Sequence, residues 1–473
     1  MLKYAAAVLA LLNQFTLANP VQSGQDPELD TLRSKIEKIR ADSDIPGVAV
    51  IIVKQDGLVW LKTFGVADRE SGKSVDGETI FRIGSITKMF TGLVLLIAQE
   101  DGLLRLDDEV KSIMPDFPYM NRWEKTHPVK VAHFLEHTSG LPGLSPEEFN
   151  LDHPMSLKKA ILWKAGDRQT LWPPGRHHSY SNAGPGYAAY LLEQVTGKTY
   201  ETYVTEKIFK PLEMDSASFF PDERTLEYLA TGYDTDGHKV IPYWHMFYRA
   251  FGAINVRPRE LAPFIQLLLN RGVHDGNRLI SAESIERMET PKTTLAARSG
   301  LRFGYGIGNY TYLRKGNLFH GHGGDGDGYL ARLGYSRDLH TGYFLVINAF
   351  NNKGLTRIRH LIEDMIIGDR RPPEPPVLVL PAEDLEIYTG TYEQVTQRFQ
   401  YQEPARKQDL VRIAISAGKL LMERKGKQSE LIPVTTNHFR YQGETVATSA
   451  FVFADDHYLY FQDENNSYRR VTD

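Results

Sequence analysis

The chain has 473 residues, a formal net charge of −4 and no cysteine. That length holds a large core and more than one domain, and the nearly balanced charge, without a long basic run, offers no footprint for nucleic acid. The missing thiols exclude cysteine nucleophiles, thiolate metal sites and disulfides.

Residues 1–18 begin with Met1-Leu2-Lys3, continue as an apolar run from Tyr4 to Leu12 and reach a small-residue cleavage site at Thr16-Leu17-Ala18. This is the pattern of a secretory signal peptide. The run is too short to span a bilayer, so the expected mature protein is secreted or periplasmic and has no stable membrane span; an uncleaved anchor is the alternative. From Glu28 to Asp42, Leu29, Leu32, Ile36 and Ile39 share one stripe of an amphipathic helix. The period then changes. Val48 to Lys54 and Leu58 to Phe64 are β-rich runs around Gln55-Asp56-Gly57, a hairpin signal.

Ile86 to Ala98 is apolar on all sides, which predicts a buried central helix. A mostly helical and loop region runs to about residue 270, strands follow at Phe303 to Tyr312, Tyr329 to Ser336 and Gly342 to Ala349, and Leu355 to Ile367 is an amphipathic helix. The order predicts an α+β fold over residues 27–368: an antiparallel sheet flanked by helices, with an inserted all-helical lobe and a cleft between the two. Residues 369–383 form a proline-rich linker, containing Asp369-Arg-Arg-Pro-Pro-Glu-Pro-Pro376. Residues 384–473 then show short strand-like runs, expected as a small antiparallel, barrel-like β domain.

The central helix starts with Ser85-Ile-Thr-Lys88. Residues three apart on a helix share a face, and a desolvated amine has a lowered pKa, so Lys88 there is suited to take the Ser85 proton and make Ser85 a nucleophile. The same spacing recurs at Ser156/Lys159, which reads as a helix cap, and at Ser416/Lys419, which reads as a turn. Only Ser85 leads a fully apolar helix. Three other clusters carry possible chemistry. His133-Phe-Leu-Glu136-His137 has the spacing of an inverted zinc peptidase motif, although Thr138-Ser-Gly-Leu-Pro142 breaks the helix just past it and no third ligand is assignable. Tyr180-Ser-Asn182 follows a loop and precedes the helical pattern of Gly186 to Thr196, so both side chains can enter one cleft; Tyr119-Met-Asn121 has the same form and reads as a surface loop. Gly321 to Gly328 is a tight site edge standing directly before a strand, or a cation loop of the Asp-x-Asp-Gly sort.

Taken in chain order, Ser85-Ile-Thr-Lys88, His137-Thr-Ser-Gly-Leu-Pro142, Pro174-Gly175, Tyr180-Ser-Asn182, Pro211-Leu-Glu-Met214 and Gly321-His-Gly-Gly324 resemble the serine β-lactamase-like family. This group includes class C β-lactamases, penicillin-binding proteins, D-aminopeptidases and related esterases. The resemblance covers residues 30 to 368, and Tyr388-Thr-Gly-Thr-Tyr392 resembles the start of a lipocalin-like domain appended to some members. It implies a β-lactamase/transpeptidase-like fold, no cofactor and no metal. By position it makes Ser85 the acylated nucleophile, Lys88 its proton acceptor and Tyr180 the relay to the leaving group. Asn182 would hold a substrate amide or carbonyl, and the N–H groups of Ser85 and Asp325 would form the oxyanion hole beside His322 and Gly324.

His322 stands where many members have lysine. Histidine is mostly neutral near pH 7, so weak carboxylate binding is expected, which favours an esterase or a peptidase for small or D-configured peptides over an efficient β-lactamase. The partner implied is a small molecule or peptide. Two alternatives stay open: a catalytically inactive penicillin-binding-like protein that holds cell-wall peptides, and a zinc peptidase through His133, Glu136 and His137.

Overall fold

The structure is a computed structural model describing residues 27–163, 165–396, 409–463 and 466–471. The signal-peptide expectation for residues 1–18 lies outside the described residues.

The strand Gly47–Lys54 shows how the fold is layered. Its alternate residues enter different cores: Val48, Val50 and Ile52 pack with Leu32, Ile36, Leu355 and Ile358, while Ala49, Ile51 and Val53 pack with the central helix. A strand apolar on both faces must be covered on both. The terminal helices Pro27–Asp42 and Asn352–Ile367 cover one face, and the helix Thr87–Glu100 with the inserted lobe covers the other. The sheet has six antiparallel strands in the order Gly57–Gly65, Gly47–Lys54, Thr341–Ile347, Tyr329–Ser336, Asn317–Gly326 and Tyr310–Arg314. The chain therefore leaves the sheet after its first hairpin and returns to finish it some 240 residues later, as an α+β fold with a large insertion.

Four local expectations change. The glycine-rich run is itself strand up to Gly326, although glycine disfavours strands; at Gly321 and Gly324 a Cβ would meet backbone oxygen at 2.0 and 1.9 Å. Phe303 to Asn309 is irregular, and regular strand starts only at Tyr310. The lobe is not purely helical: Phe81–Arg82 pairs with Asn255–Val256, Gly232–Tyr233 with Val240–Ile241, and Val273–His274 with Asn277–Arg278. Tyr119, expected on a surface loop, is buried in the main core beside Phe117.

Between Ile367 and Ala382 the chain forms no helix or strand, and from Gly390 to Arg470 it builds a closed antiparallel barrel of eight strands. Its interior is aromatic, with Tyr388, Tyr392, Phe439, Phe451 and Phe461 in mutual contact. The barrel docks through a small apolar seam in which Ala450, Val446 and Val452 meet Ala296, Leu301 and Phe303. Polar contacts flank the seam. Arg176 pairs with Asp455 and Asp456, Gln462 accepts from Ala296 N at 2.6 Å and donates to Arg176 O at 3.0 Å, and Thr445 Oγ1 donates to Gly316 O at 2.6 Å. Among the described residues, no helix is long and apolar enough to cross a membrane.

Candidate active site

The site begins where two backbones touch. A 3₁₀ turn, Gly84–Ile86, feeds the central helix, and Gly84 takes a left-handed φ of 53°. A Cβ on Gly84 would lie 3.1 Å from Asp325 N, and one on Gly324 would lie 1.9 Å from Ile83 O. Only glycine allows this approach. It brings the Ser85 turn against the glycine-rich strand and sets the Ser85 and Asp325 residues on one rim.

Lys88 is 1% exposed and its Nζ lies 2.9 Å from Ser85 Oγ and 2.8 Å from Phe251 O. The Tyr180 ring lies over it, with the centroid 4.9 Å from Nζ. Tyr180 leads into the helix Ala183–Thr196, and Asn182 directly precedes that helix, so both are held by a rigid element. His322 projects from the strand Asn317–Gly326; its Nδ1 donates to Gly323 O at 2.5 Å, while Nε2 lies 2.8 Å from Tyr305 Oη. A carbonyl can only accept, so Nδ1 carries a proton. Ser85, Tyr180, Asn182, His322 and Asp325 line one cleft of about 510 Å³, Lys88 lies beneath Ser85, and Gly324 is the strand's point of contact with the Ser85 turn.

The sequence of residues 32–364 matches the model of the Beta-lactamase family, which is most of the chain. The chain belongs to the Beta-lactamase family. Within it, the chain is 26% identical over 312 residues to penicillin-binding protein 4 of Amycolatopsis lactamdurans, covering 64% of this chain and 80% of that protein. It is 28% identical over 340 residues to the putative penicillin-binding protein PbpX of Bacillus subtilis (strain 168), covering 70% and 78%. A β-lactamase of Yersinia enterocolitica is 31% identical over 213 residues, 45% of this chain and 50% of that one. The fold of an octameric penicillin-binding protein homologue from Pyrococcus abyssi superposes with a TM-score of 0.61 at 24% identity, over 93% of this chain and all of that one. That of SurE does so at 0.61 and 19% identity, over 94% and 99%. These two cover the barrel as well as the Beta-lactamase domain.

The competing motifs of this family member are structural. Ser156 Oγ accepts from Lys159 N at 3.3 Å, just ahead of the helix Leu157–Trp163, and Ser416 pairs with Lys419 across a hairpin whose turn residues Ala417 and Gly418 have positive φ. In the His133/Glu136/His137 motif the helix ends at Leu135, so the two imidazoles diverge: His137, at φ 57°, packs on Tyr180, while His133 Nε2 faces Gly175. Glu136 is fully buried and already occupied by Arg287, both Lys292 and Thr293 N–H groups and the Thr293 hydroxyl. A general base needs a carboxylate facing the reaction, and this one faces the core. In the Asp-x-Asp-Gly run, Asp325 binds Arg332 and Asp327 accepts from Asn150, so the two carboxylates do not converge.

Several lining residues escaped the sequence analysis: His178, Tyr305, Tyr310, Arg332, Arg359, and Gln394, Thr396 and Asn466 from the β domain. Alternating glycines at Gly304, Gly306 and Gly308 are a signal that could have drawn attention to Tyr305. His137 and His178 pack on Tyr305, whereas Tyr310 lies against His322, 5.3 Å between centroids. Burial raises the Tyr310 phenol, with Arg332 and Arg359 acting against the shift, so this tyrosine is a neutral wall rather than a base.

Proposed function

We propose that this chain is a serine hydrolase that works through a Ser85 acyl-enzyme on esters or amides, small or D-configured peptides included. The observation that carries the reading is the buried Lys88 amine 2.9 Å from Ser85 Oγ, in a chain of the Beta-lactamase family. Ser85 Oγ attacks the carbonyl carbon and passes its proton to Lys88 Nζ. The oxygen that becomes negative is met by the Ser85 and Asp325 N–H groups, a stabilisation typically worth about 3 to 4 kcal/mol per donor. Tyr180 relays a proton to the leaving group, whose bond to carbon breaks, and water then releases the acyl group. Asn182 holds the substrate amide. Export, with cleavage after residue 18, belongs to the same proposal and rests on the sequence pattern alone.

Intact-protein mass after exposure to an uncharged fluorophosphonate, then to a penicillin, tests the mechanism against Ser85→Ala. An adduct in the parent that is absent from the variant supports a reactive Ser85, and hydrolysis of a p-nitrophenyl ester should be lost with it. A folded parent that takes no adduct, or a variant that hydrolyses the ester normally, overturns the reading. A lasting penicilloyl adduct would narrow it to a penicillin-binding protein.

A further inference from the structure

A second cavity, of about 390 Å³, lies away from Ser85 at the seam between the Beta-lactamase domain and the barrel. Sites for small molecules have this size, with walls that are mostly apolar and a few placed polar groups. Leu301, Phe303 and Leu318 form the wall on one side, and Val434, Val446 and Ala447 of the barrel form the other. The two sides are held together by the packing of Val446 with Leu301, Phe303 and Leu318, and by the Thr445 bond to Gly316 O at 2.6 Å. Both domains are thus needed to make the cavity.

The polar floor comes from the sheet. Strand residues alternate between faces, so Leu318, His320 and His322 of the strand Asn317–Gly326 share one face: His322 lines the Ser85 cleft, and His320 lines the seam cavity. His320 is 5% exposed, and its Nδ1 is buried with no hydrogen-bond partner among the described residues. Buried polar atoms are nearly always hydrogen-bonded. Burial lowers the pKa of this imidazole to about 3, so near pH 7 the ring is neutral, one nitrogen donating and the other accepting. The other titratable groups that line the cavity already have partners. Glu289 Oε1 accepts from the Tyr335 hydroxyl at 2.9 Å, and its Oε2 lies 3.1 Å from Arg337 Nη2. Arg302 pairs with Glu286 at 2.7 Å, and His438 Nε2 lies 3.1 Å from Ser299 Oγ. A charged ligand would meet no spare counter-charge among these groups. A hydroxyl, which both donates and accepts, suits His320 Nδ1 in either tautomer.

We infer that the seam cavity is a binding site for a small uncharged molecule with an apolar body and one hydroxyl, the hydroxyl bonding to His320 Nδ1 and the body lying between Leu318 and Val446. The site is separate from the Ser85 cleft, and the inference does not depend on the reaction assigned to Ser85. The apolar walls supply affinity. The histidine supplies selection, because a ligand without a polar group would leave Nδ1 unpaired. A ligand that touches both domains binds only their docked arrangement, so it stabilises that arrangement by mass action.

The test titrates the full-length protein calorimetrically at pH 7 with 4-propylphenol, propylbenzene and 4-propylbenzoate, which share one body and carry a hydroxyl, no polar group and a carboxylate. The phenol is expected to bind at least 10-fold tighter than either of the others and to raise the melting temperature. His320→Leu, which keeps an apolar side chain in place of the ring, should bring the phenol down to the affinity of propylbenzene. Val434→Trp, which fills the cavity from the barrel side, should abolish binding of all three. Melting temperatures without ligand confirm that each variant is folded, and either variant alone suffices to place the site. No binding of the phenol to the parent, equal binding of phenol and propylbenzene, tighter binding of the benzoate, or phenol binding unchanged in a folded variant overturns the inference.

Discussion

The two ends of the cleft are built in different ways. At the inner end, the nucleophile turn and the glycine-rich strand meet backbone to backbone, and the groups assigned to the reaction are main-chain N–H groups, a serine on a single turn and a lysine buried three residues along one helix. At the outer end, the walls are long side chains from a strand, a helix and a second domain. Displacing a reacting group by 1 Å can cost about 100-fold in rate, and a position held by main chain has no rotamers to drift through. The outer end tolerates adjustment. The difference implies that changes at the inner end act on turnover, and changes at the outer end act on which substrate is held.

The largest effect should come from disturbing the inner contact. In Gly324→Ala, the new Cβ would lie 1.9 Å from Ile83 O, so the strand and the nucleophile turn must separate. The Asp325 N–H would leave the place proposed for it as an oxyanion donor, and kcat for a p-nitrophenyl ester should fall by about 10²- to 10³-fold, as when one such donor is removed. A variant with normal kcat would show that the backbone contact does not set the reacting geometry.

Acid offers the next test, because one of the buried histidines lies at the domain seam. His177 is buried against the barrel, its ring 5.0 Å from Tyr460, and burial, then Arg176, lowers its pKa from 6.5 to about 3. His133 and His320 are likewise lowered to about 3 by burial. Each folded pKa lies below the unfolded value, so between these limits the unfolded chain takes up a proton that the folded chain refuses. Stability therefore falls as pH falls below about 6.5, by up to about 1.4 kcal/mol per pH unit for each histidine. Urea midpoints at pH 7 and pH 5 would measure the loss, and His177→Gln should remove one histidine's share. An equal loss in that variant would mean that His177 does not titrate with the seam.

What could be read from the sequence follows the same division. The Ser85 helix was legible because Ile86 to Ala98 is apolar on every side, and a polar Ser-x-x-Lys start to such a run is unusual enough to separate it from Ser156 and Ser416. The first hairpin was legible from alternation around Asp56-Gly57, and the terminal helices from their stripes. The strand through Gly321 to Gly326 was not, because the reason for Gly324 is contact with a turn more than 200 residues earlier in the chain. Arg332 sits in a run that is buried apart from itself, and Arg359 on a helix whose other face is solvated, so nothing local marks either for the cleft. Gln394 and Asn466 become neighbours only when the barrel closes. The expectation of weak carboxylate binding rested on His322 alone; Arg332 and Arg359 line the same cleft.

The smallest predicted effect separates stability from selectivity at one residue. Gly323 has an ordinary strand backbone, and a Cβ there meets only the flexible end of Arg332, at 3.2 Å. Alanine fits that backbone and restricts the unfolded chain more than glycine does, so Gly323→Ala should stabilise the fold by about 0.4–1 kcal/mol. The same methyl group must push the guanidinium aside by a few tenths of an ångström. KM for a p-nitrophenyl ester should change severalfold while kcat stays near the parent value, because the methyl group meets Arg332 in the cleft wall. A fall in kcat as large as in Gly324→Ala would show the methyl group acting on the Ser85 rim through Gly324, and the two ends of the cleft would be mechanically one.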